Sequence, residues 1–206
     1  MITLKPFAAL RPQTALAASV AARPYDVLNS QEAAEEAQGN PNSFLHVTKA
    51  EINLPAGTDI HSQSVYDQAK QNLEAMIRKE ALFQESKPCY YIYELVMNGR
   101  SQTGLVALSS VADYNNDLIK KHEFTRPEKE KDRIDHMRTI RAQTGNVFLA
   151  YREVADMDRL IEHWKQAHSP VYSFTASDEI THRIWVVDMR ETVEAITHIF
   201  AEQVPA

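Results

Sequence analysis

The chain has 206 residues, of which 44% are hydrophobic and 24% are charged, and its formal net charge is −6. This length and composition favour a folded globular protein with a sizeable core over a disordered chain. The acidic balance argues against a general nucleic-acid binder, which needs a basic face. The single cysteine, Cys89, excludes an intramolecular disulfide, is expected to be buried and inert, and fits a cytoplasmic protein.

The N-terminal segment predicts a short strand followed by a short helix. Residues 2–7 predict the strand. The alanine-rich residues 13–22 predict a helix rather than an export signal, because the apolar stretch comes late and starts only after Pro12. No run approaches the ~20 apolar residues of a membrane span, so we expect no membrane segment.

Proline, serine and glycine divide the segment that follows. Pro24 predicts a loop, because the residue before a proline avoids helical backbone angles. Ser30 is expected to cap a helix that Gly39 closes. The sequence then predicts a helix, an extended piece and an exposed loop, at residues 31–38, 44–47 and 49–62, respectively.

Two stronger signals lie in the middle of the chain. Apolar residues recur at helical spacing over residues 64–83, and Ser64 with Asp67 forms a capping pattern at the start of this segment. Further on, Asn98-Gly99 separates two β-rich runs. This dipeptide tolerates the positive φ angles of a tight turn, so it predicts a β-hairpin over residues 90–108.

The second half alternates helices and strands. A capping box of Thr125 and Glu128, with Pro127 in the first turn, predicts a helix to about residue 143. The remaining elements are two amphipathic helices at 154–164 and 192–202, and three strands at 146–151, 171–175 and 183–188. This order predicts one mixed α/β domain over residues 1–206, with a layered mixed sheet, some parallel pairing, the Asn-Gly hairpin and flanking helices.

The densest group of chemically useful side chains lies at the start of the Thr125 helix. Arg126, Arg133 and His136 share one helical stripe with Lys129, near a helix N-terminus that favours an anion. His122 and Glu123 precede it and are suited to proton transfer. A phosphate or carboxylate site is one interpretation, and a merely solvated helix is the other.

The sequence offers one further candidate loop and excludes several site types. Tyr25-Asp26 is suited to holding a ligand from a loop, although an Asx-type turn explains it equally. The histidines lack the spacing of a zinc motif, so no metal site is predicted from spacing. Five glycines in the whole chain provide neither a P-loop nor a dinucleotide fingerprint.

Several segments together resemble the family known as the domain of unknown function number 1015. The matching segments lie in the same order at 5–12, 24–27, 40–46, 89–93, 121–125, 132–133 and 148–151. Longer members of that family continue into an Asp-Gly-His-His-Arg segment similar to a box of the ParB and sulfiredoxin superfamily. This chain ends at Ala206 without that segment, so the resemblance implies either a fragment of the longer architecture, its N-terminal part, or a shortened member. In both cases we expect part of the active site to be missing and a sheet edge to be open to homo-oligomerisation.

The resemblance implies a nucleotide- or phosphate-binding enzyme domain, in the manner of a small-molecule kinase using ADP or ATP. In that interpretation Arg11, Arg126 and Arg133 hold the anion, Tyr25 and Thr125 line the site, and His122 with Glu123 handles protons. Mg²⁺ would bridge the phosphates and Asp26. The alternative is a non-catalytic regulatory or nucleic-acid-associated module, against which the acidic charge counts.

Overall fold

The computed structural model describes residues 2–122 and 125–205. The strands of this part are β1 Leu4–Lys5, β2 Leu10–Pro12, β3 Leu82–Gln84, β4 Tyr90–Met97, β5 Arg100–Val106, β6 Leu108–Ser109, β7 Tyr172–Thr175 and β8 Thr181–Val187. The α-helices are α1 Ala17–Val20, α2 Ser30–Ala37, α3 Leu45–Thr48, α4 Gln63–Arg78, α5 Val111–Asn115, α6 Pro127–Ile140, α7 Ala155–Ala167 and α8 Arg190–Gln203. The mixed α/β class is confirmed. Among the described residues, no helix is long and apolar enough to cross a membrane.

Where the sequence predicts one domain, the chain divides into two compact units. The first unit comprises residues 2–14, 84–122 and 149–205, and the second comprises 15–83 and 125–148. The second unit is therefore inserted twice into the first along the sequence. Hydrophobic periodicity reports which face of an element is buried and not which other elements bury it, so this division is decided by tertiary contacts.

The first unit is built on a four-stranded sheet in the order β5-β4-β8-β7. Asn98 and Gly99 have φ angles of 52° and 77°, and they join β4 to β5 in the predicted hairpin. All three strand pairings of this sheet are antiparallel, so the expected parallel pairing is absent from it. The error arose because an alternation of helices and strands fixes their order along the chain but not the direction of pairing.

One face of the sheet supports the core of the first unit. Tyr90 and Ile92 of β4 and Trp185 and Val187 of β8 are buried on this face, as a period of two requires. Helices α7 and α8 supply the opposing apolar side chains, namely Met157, Ile161, Trp164, Ile196 and Phe200. The strand predicted at 183–188 is observed as β8, which lies between β4 and β7 in this sheet.

The second unit is mostly helical. Helix α4 buries most of the stripe that its periodicity predicts, including Val65, Ala69 and Leu73, and it packs against α6 and α3. A second cluster of Leu28, Ala33, Ala37 and Leu45 lies around α2. Helices α4 and α6 bring residues far apart in sequence into one structure, which positions the site described below.

Several local predictions for the second unit are wrong. Residues 44–47 were expected to be extended, but Leu45–Thr48 is a helical turn. The loop predicted at 49–62 contains a 3₁₀ helix, Ala50–Asn53, whose Ala50 is buried, while most of residues 53–61 are exposed. Helix α4 ends at Arg78 instead of continuing to residue 83, and Glu80 takes a φ angle of 57°. Residues 13–22 divide into a 3₁₀ turn and the short α1. In each case tertiary packing overrides a weak local pattern.

The predicted helix caps also differ from those observed. Asn29 rather than Ser30 caps α2, and it forms a reciprocal capping box with Glu32. Helix α6 begins after Arg126, and neither Thr125 nor another side chain caps it. The prediction of a Thr125 cap is wrong because the helix starts at Pro127, one residue later than the box requires. The predicted strand at 146–151 is also absent, since none of these residues pairs in a sheet.

Candidate functional site

A pocket of about 250 Å³ lies within the second unit. It is formed by the loop before α2, the 3₁₀ segment, the residues before α4 and one face of α6. The side chains with useful chemistry are Tyr25, Asp26, His61, Lys129, Asp132 and Arg133. Three of them belong to α6, where steps of three and four place residues on one helical face.

Asp132 is the centre of this pocket. Its side chain is 8% exposed, and its Oδ1 accepts hydrogen bonds from His61 Nδ1 at 2.9 Å and from the Tyr66 hydroxyl at 2.8 Å. Its Oδ2 accepts from Arg133 Nε at 2.9 Å and Nη2 at 2.5 Å. Burial alone would raise the pKa of Asp132, but these donors outweigh it and hold the pKa below its ordinary value of 3.8. Asp132 is therefore a buried carboxylate ion.

Asp132 fixes the orientation of the His61 ring. A carboxylate only accepts hydrogen bonds, so Nδ1 of His61 donates to it, and Nε2 is the ring nitrogen that can take up a proton when the ring is neutral. The side chain is 51% exposed, so Nε2 is open to a ligand. A buried carboxylate that fixes the orientation of an exposed imidazole is an arrangement used for general base catalysis.

Arg133 is fixed on two sides. Its guanidinium binds Asp132, and its Cζ atom lies 4.0 Å from the centroid of the Tyr25 ring. The stacking holds the guanidinium plane, and the side chain is still 26% exposed. An arginine positioned in this way offers its other N–H groups to an anion.

The remaining charges of the pocket differ in whether they have partners. Lys49 Nζ lies 3.0 Å from Glu51 Oε1, and both side chains are nearly buried. By contrast, the exposed side chains of Asp26 and Lys129 have no hydrogen bond or ion pair within the described part of the chain. The pocket thus presents one unengaged carboxylate and one unengaged ammonium group to solvent.

Two buried residues near Asp132, Tyr66 and His136, have structural roles. The pKa of Tyr66 is raised by burial and by its hydrogen bond to the Asp132 ion, so its hydroxyl remains a donor. His136 is 3% exposed, and its Nε2 lies 3.0 Å from the carbonyl oxygen of Val47, to which it donates. Burial lowers the pKa of His136 below 6.5. His136 therefore packs α6 against α3 and is not part of the pocket lining, and its role as a ligand-binding residue stays a prediction.

Within the second unit, the structure brings together three of the residues predicted from the sequence. Tyr25, Asp26 and Arg133 line one pocket, although more than a hundred residues separate Asp26 from Arg133 in the sequence. Thr125 and Arg126 are exposed before α6 and are not part of the lining. Arg11 and His122 belong to the first unit, and Glu123 lies outside the described residues.

The sequence analysis missed His61 and Tyr66. His61 lies in the segment predicted to be an exposed loop, and Tyr66 appears as one apolar member of an amphipathic helix. A tyrosine hydroxyl on the buried face of a helix needs a hydrogen-bond partner. This requirement was the one signal in the sequence that could have indicated a role for Tyr66. Its partner on α6 lies 66 residues away in the sequence, so no local pattern could identify it.

Comparisons with known proteins agree with the resemblance seen in the sequence. A family model described as "Protein of unknown function (DUF1015)" matches residues 4–206. No curated protein and no solved structure matches the chain. The further resemblance to the ParB and sulfiredoxin superfamily stays a prediction.

Proposed function

The chain belongs to the DUF1015 family of proteins of unknown function, and we propose that its second unit is a phosphate- or nucleotide-binding enzyme site of a small-molecule kinase type. The observation that carries the proposal is the combination of the His61–Asp132 pair and Arg133 in one pocket. The pair supplies a proton acceptor, and the arginine supplies an anion-binding group. Phosphoryl transfer to a hydroxyl requires both.

The anion-binding side of the site consists of Arg133 and Lys129. Both project from α6, and Lys129 lies in the first turn of this helix, where the backbone dipole favours negative charge. Arg133 uses two of its nitrogens on Asp132, which leaves further N–H groups for phosphate oxygens. Lys129 would add a second, flexible cation next to them.

The unengaged carboxylate of the pocket, Asp26, suits a nucleotide that binds as its Mg²⁺ complex. Within residues 2–122 and 125–205, no group of three or more His, Cys, Asp or Glu side chains is placed to hold a metal ion alone. Mg²⁺ bound through phosphates needs only one or two carboxylates. Asp26, which is exposed and lines the pocket, would provide one. When bound, the ion would neutralise phosphate charge.

The proton-transfer side of the site is His61. Its Nε2 would accept the proton of a substrate hydroxyl while that oxygen bonds to the terminal phosphorus of the nucleoside triphosphate. The bond from this phosphorus to the bridging oxygen would break, and the nucleoside diphosphate would leave. Asp132 would stabilise the resulting imidazolium. Asp132 is saturated by its donors, so it acts through His61. The assignment of proton transfer to His122 and Glu123 stays a prediction from the sequence.

Binding is the first test. Titration calorimetry with ATP and Mg²⁺, ADP, inorganic phosphate and a short duplex DNA, each at two salt concentrations, measures which ligand the chain takes. Lys129→Gln should weaken ATP binding by roughly 3–10-fold, because it removes one unengaged cation. Lys131→Gln is the matched control, since Lys131 lies on the same helix but pairs with Asp135 outside the pocket. Equal affinities in the two variants would contradict the anion site.

Turnover is the second test. ATP hydrolysis and phosphorylation of a panel of small alcohols are compared in the native chain and in His61→Gln. The proposal expects ATP affinity to be nearly unchanged and the rate to fall by about 100-fold or more. ATP binding without any turnover would instead indicate the non-catalytic module. Tight binding of duplex DNA with a steep salt dependence would indicate the nucleic-acid-associated module.

A further inference from the structure

Strand β5 forms one edge of the four-stranded sheet of the first unit. It is seven residues long, and it pairs with β4 over its whole length without a bulge. On its other side, the described part of the chain places no strand. An edge of this length is a template on which another strand can pair. The proposed phosphate site lies in the second unit, so the edge requires its own explanation.

The turn of the hairpin fixes which backbone groups of β5 face outward. Both residues of Asn98-Gly99 have positive φ angles, as in a type I′ turn, so Met97 and Arg100 form a hydrogen-bonded pair. Hydrogen-bonded and non-hydrogen-bonded pairs alternate along an antiparallel ladder. Every second residue counted from Arg100 therefore directs its N–H and C=O groups to β4. The residues whose backbone groups point away from the sheet are Ser101, Thr103 and Leu105.

These outward groups have no partner in the structure. Within residues 2–122 and 125–205, no hydrogen bond reaches the backbone N–H or C=O of Ser101, Thr103 or Leu105. The strand also lacks the features that protect an edge from association, since it contains no proline and no lysine, and its single charge, Arg100, lies at its first position. Among the described residues, nothing lies within 4 Å of the Cβ position of Gly104, so the strand is accessible there.

We propose that two copies of this chain associate through β5, by antiparallel pairing of the two strands about a two-fold axis at Thr103. In this register each Thr103 lies opposite its counterpart, and Ser101 lies opposite Leu105 of the second copy. The outward groups of one edge then meet the outward groups of the other, and each pair exchanges both of its N–H···O bonds. A shift in either direction leaves at least one of the three residues without a partner from the set.

The side chains of β5 suit this register. Arg100 lies opposite Val106 of the second copy, so no like charges face each other, and threonine opposite threonine is a favourable cross-strand pair. Lys165 of α7 contacts Thr103 Oγ1 at 3.3 Å, but its charge is balanced by Glu94 at 2.7 Å. Side chains opposite each other in a pair lie on the same face of a sheet. The two copies therefore form one continuous sheet, with α7 and α8 of both copies on the same face.

A cysteine at the two-fold axis tests the register. The two Cα atoms of a hydrogen-bonded pair are about 5.5 Å apart, which suits a disulfide. Thr103→Cys should therefore form a covalent dimer when the chain is oxidised with diamide, as seen on a non-reducing gel. The native thiol of Cys89 should give no background, because it is buried and burial raises its pKa.

Ser101→Cys is the matched control for this cross-link. Ser101 lies on the same edge, and like Thr103 it makes one side-chain hydrogen bond to a charged residue. In the proposed register the two copies of residue 101 are roughly 13 Å apart, at ~3.3 Å per residue along the strands, so they should not form a disulfide.

Sedimentation equilibrium measures the association of the native chain. We expect a monomer–dimer equilibrium with a Kd at or below about 100 µM. Thr103→Pro removes an N–H group that faces away from β4, so the hairpin keeps its ladder while the Kd should rise at least about 10-fold. Thr103→Val keeps the N–H group and should change the Kd by less than about 3-fold. Circular dichroism checks the fold of each variant, and if Thr103→Pro is not folded, the two cysteine variants decide.

Each of the following results overturns the proposal. The native chain remains monomeric at roughly 500 µM, which would leave the edge to an extended segment of another protein. Thr103→Cys cross-links no faster than Ser101→Cys, which would place any dimer contact elsewhere. Folded Thr103→Pro and Thr103→Val dimerise with equal Kd, which would mean that the outward N–H group does not take part. ATP binding in the second unit is a separate measurement and does not enter these outcomes.

Discussion

His61 Nδ1 donates a hydrogen bond of 2.9 Å to Asp132 Oδ1, and the two residues are 71 positions apart in the sequence. Asp132 is buried and ionised, whereas His61 is half-exposed. The pair connects the segment before α4 with α6, so it is both a tertiary link and the candidate base of the site.

Loss of the Asp132 charge should destabilise the second unit. The Asp132 carboxylate accepts four hydrogen bonds, and Asp132→Asn replaces one of its two oxygen atoms by an NH₂ group, which can only donate. We therefore expect a cost of about 2–4 kcal/mol in the free energy of unfolding. Urea denaturation measures it. Asp135→Asn is the control on the same helix, where an exposed partner limits the cost to about 0.5 kcal/mol. Similar costs for both variants would show that the Asp132 network contributes little.

Stability should depend on pH through His136. Burial lowers its pKa below 6.5, so below pH 6.5 the unfolded chain binds protons more readily than the folded one. Stability from the neutral ring is therefore fully present above about pH 6.5 and is lost as the pH falls towards the lower folded pKa. His136→Gln should flatten this slope below about pH 6.5, as measured by urea denaturation.

The slope should not vanish in that variant, because burial also lowers the pKa of His182 in the first unit. The exposed His163 supplies the control substitution, His163→Gln, which should leave the slope as it is. An unaltered slope in His136→Gln would mean that His136 does not couple proton binding to folding.

The Tyr25 ring should contribute to ligand affinity through Arg133. Tyr25→Leu removes the ring that lies 4.0 Å from the guanidinium carbon, and it should weaken ATP binding by about 2–5-fold in calorimetry. Tyr25→Phe keeps the ring face and should bind like the native chain. If both variants lose affinity equally, the hydroxyl and not the stacking matters.

The stability cost of mutating a residue at a helix N-terminus should follow the observed cap geometry and not the pattern in the sequence. Asn29→Ala removes a reciprocal capping box and should cost about 0.5–2 kcal/mol. Thr125→Ala should change stability by less than about 0.5 kcal/mol, because Thr125 makes no cap to α6. Thermal and urea denaturation of the two variants provide the comparison. A cost for Thr125→Ala as large as that for Asn29→Ala would restore the capping box predicted from the sequence.

Glu94 should stabilise the first unit as a buried ion. It is 5% exposed and pairs with Lys165 at 2.7 Å and Arg183 at 2.9 Å, and these partners lower its pKa despite burial. Glu94→Gln should cost about 2–4 kcal/mol in urea denaturation, because Arg183 loses its carboxylate partner and Lys165 loses its nearer one. Glu162→Gln removes the exposed and more distant partner of the same lysine, 3.7 Å away, and should cost less than about 1 kcal/mol.

The sequence by itself determined the features that depend on neighbouring residues. Asn98-Gly99 predicted the hairpin because its turn needs positive φ angles, and the periodicity of 154–164 predicted a helix because a buried stripe must repeat with the helical turn. The stripe on α6 likewise identified Arg133 as a candidate anion-binding residue.

Only the tertiary structure decided which distant groups meet. Tyr66, His61 and Arg133 surround one carboxylate, because the packing of α4 against α6 fixes distances that no local pattern encodes. The same holds for Arg11, which the sequence grouped with Arg133 as an anion-binding residue. The structure places Arg11 in a pocket of the first unit, where it pairs with Glu85 and Tyr172. Charge and residue type can be read from a chain, but the position of a charge relative to its partners is set by the packing of whole elements.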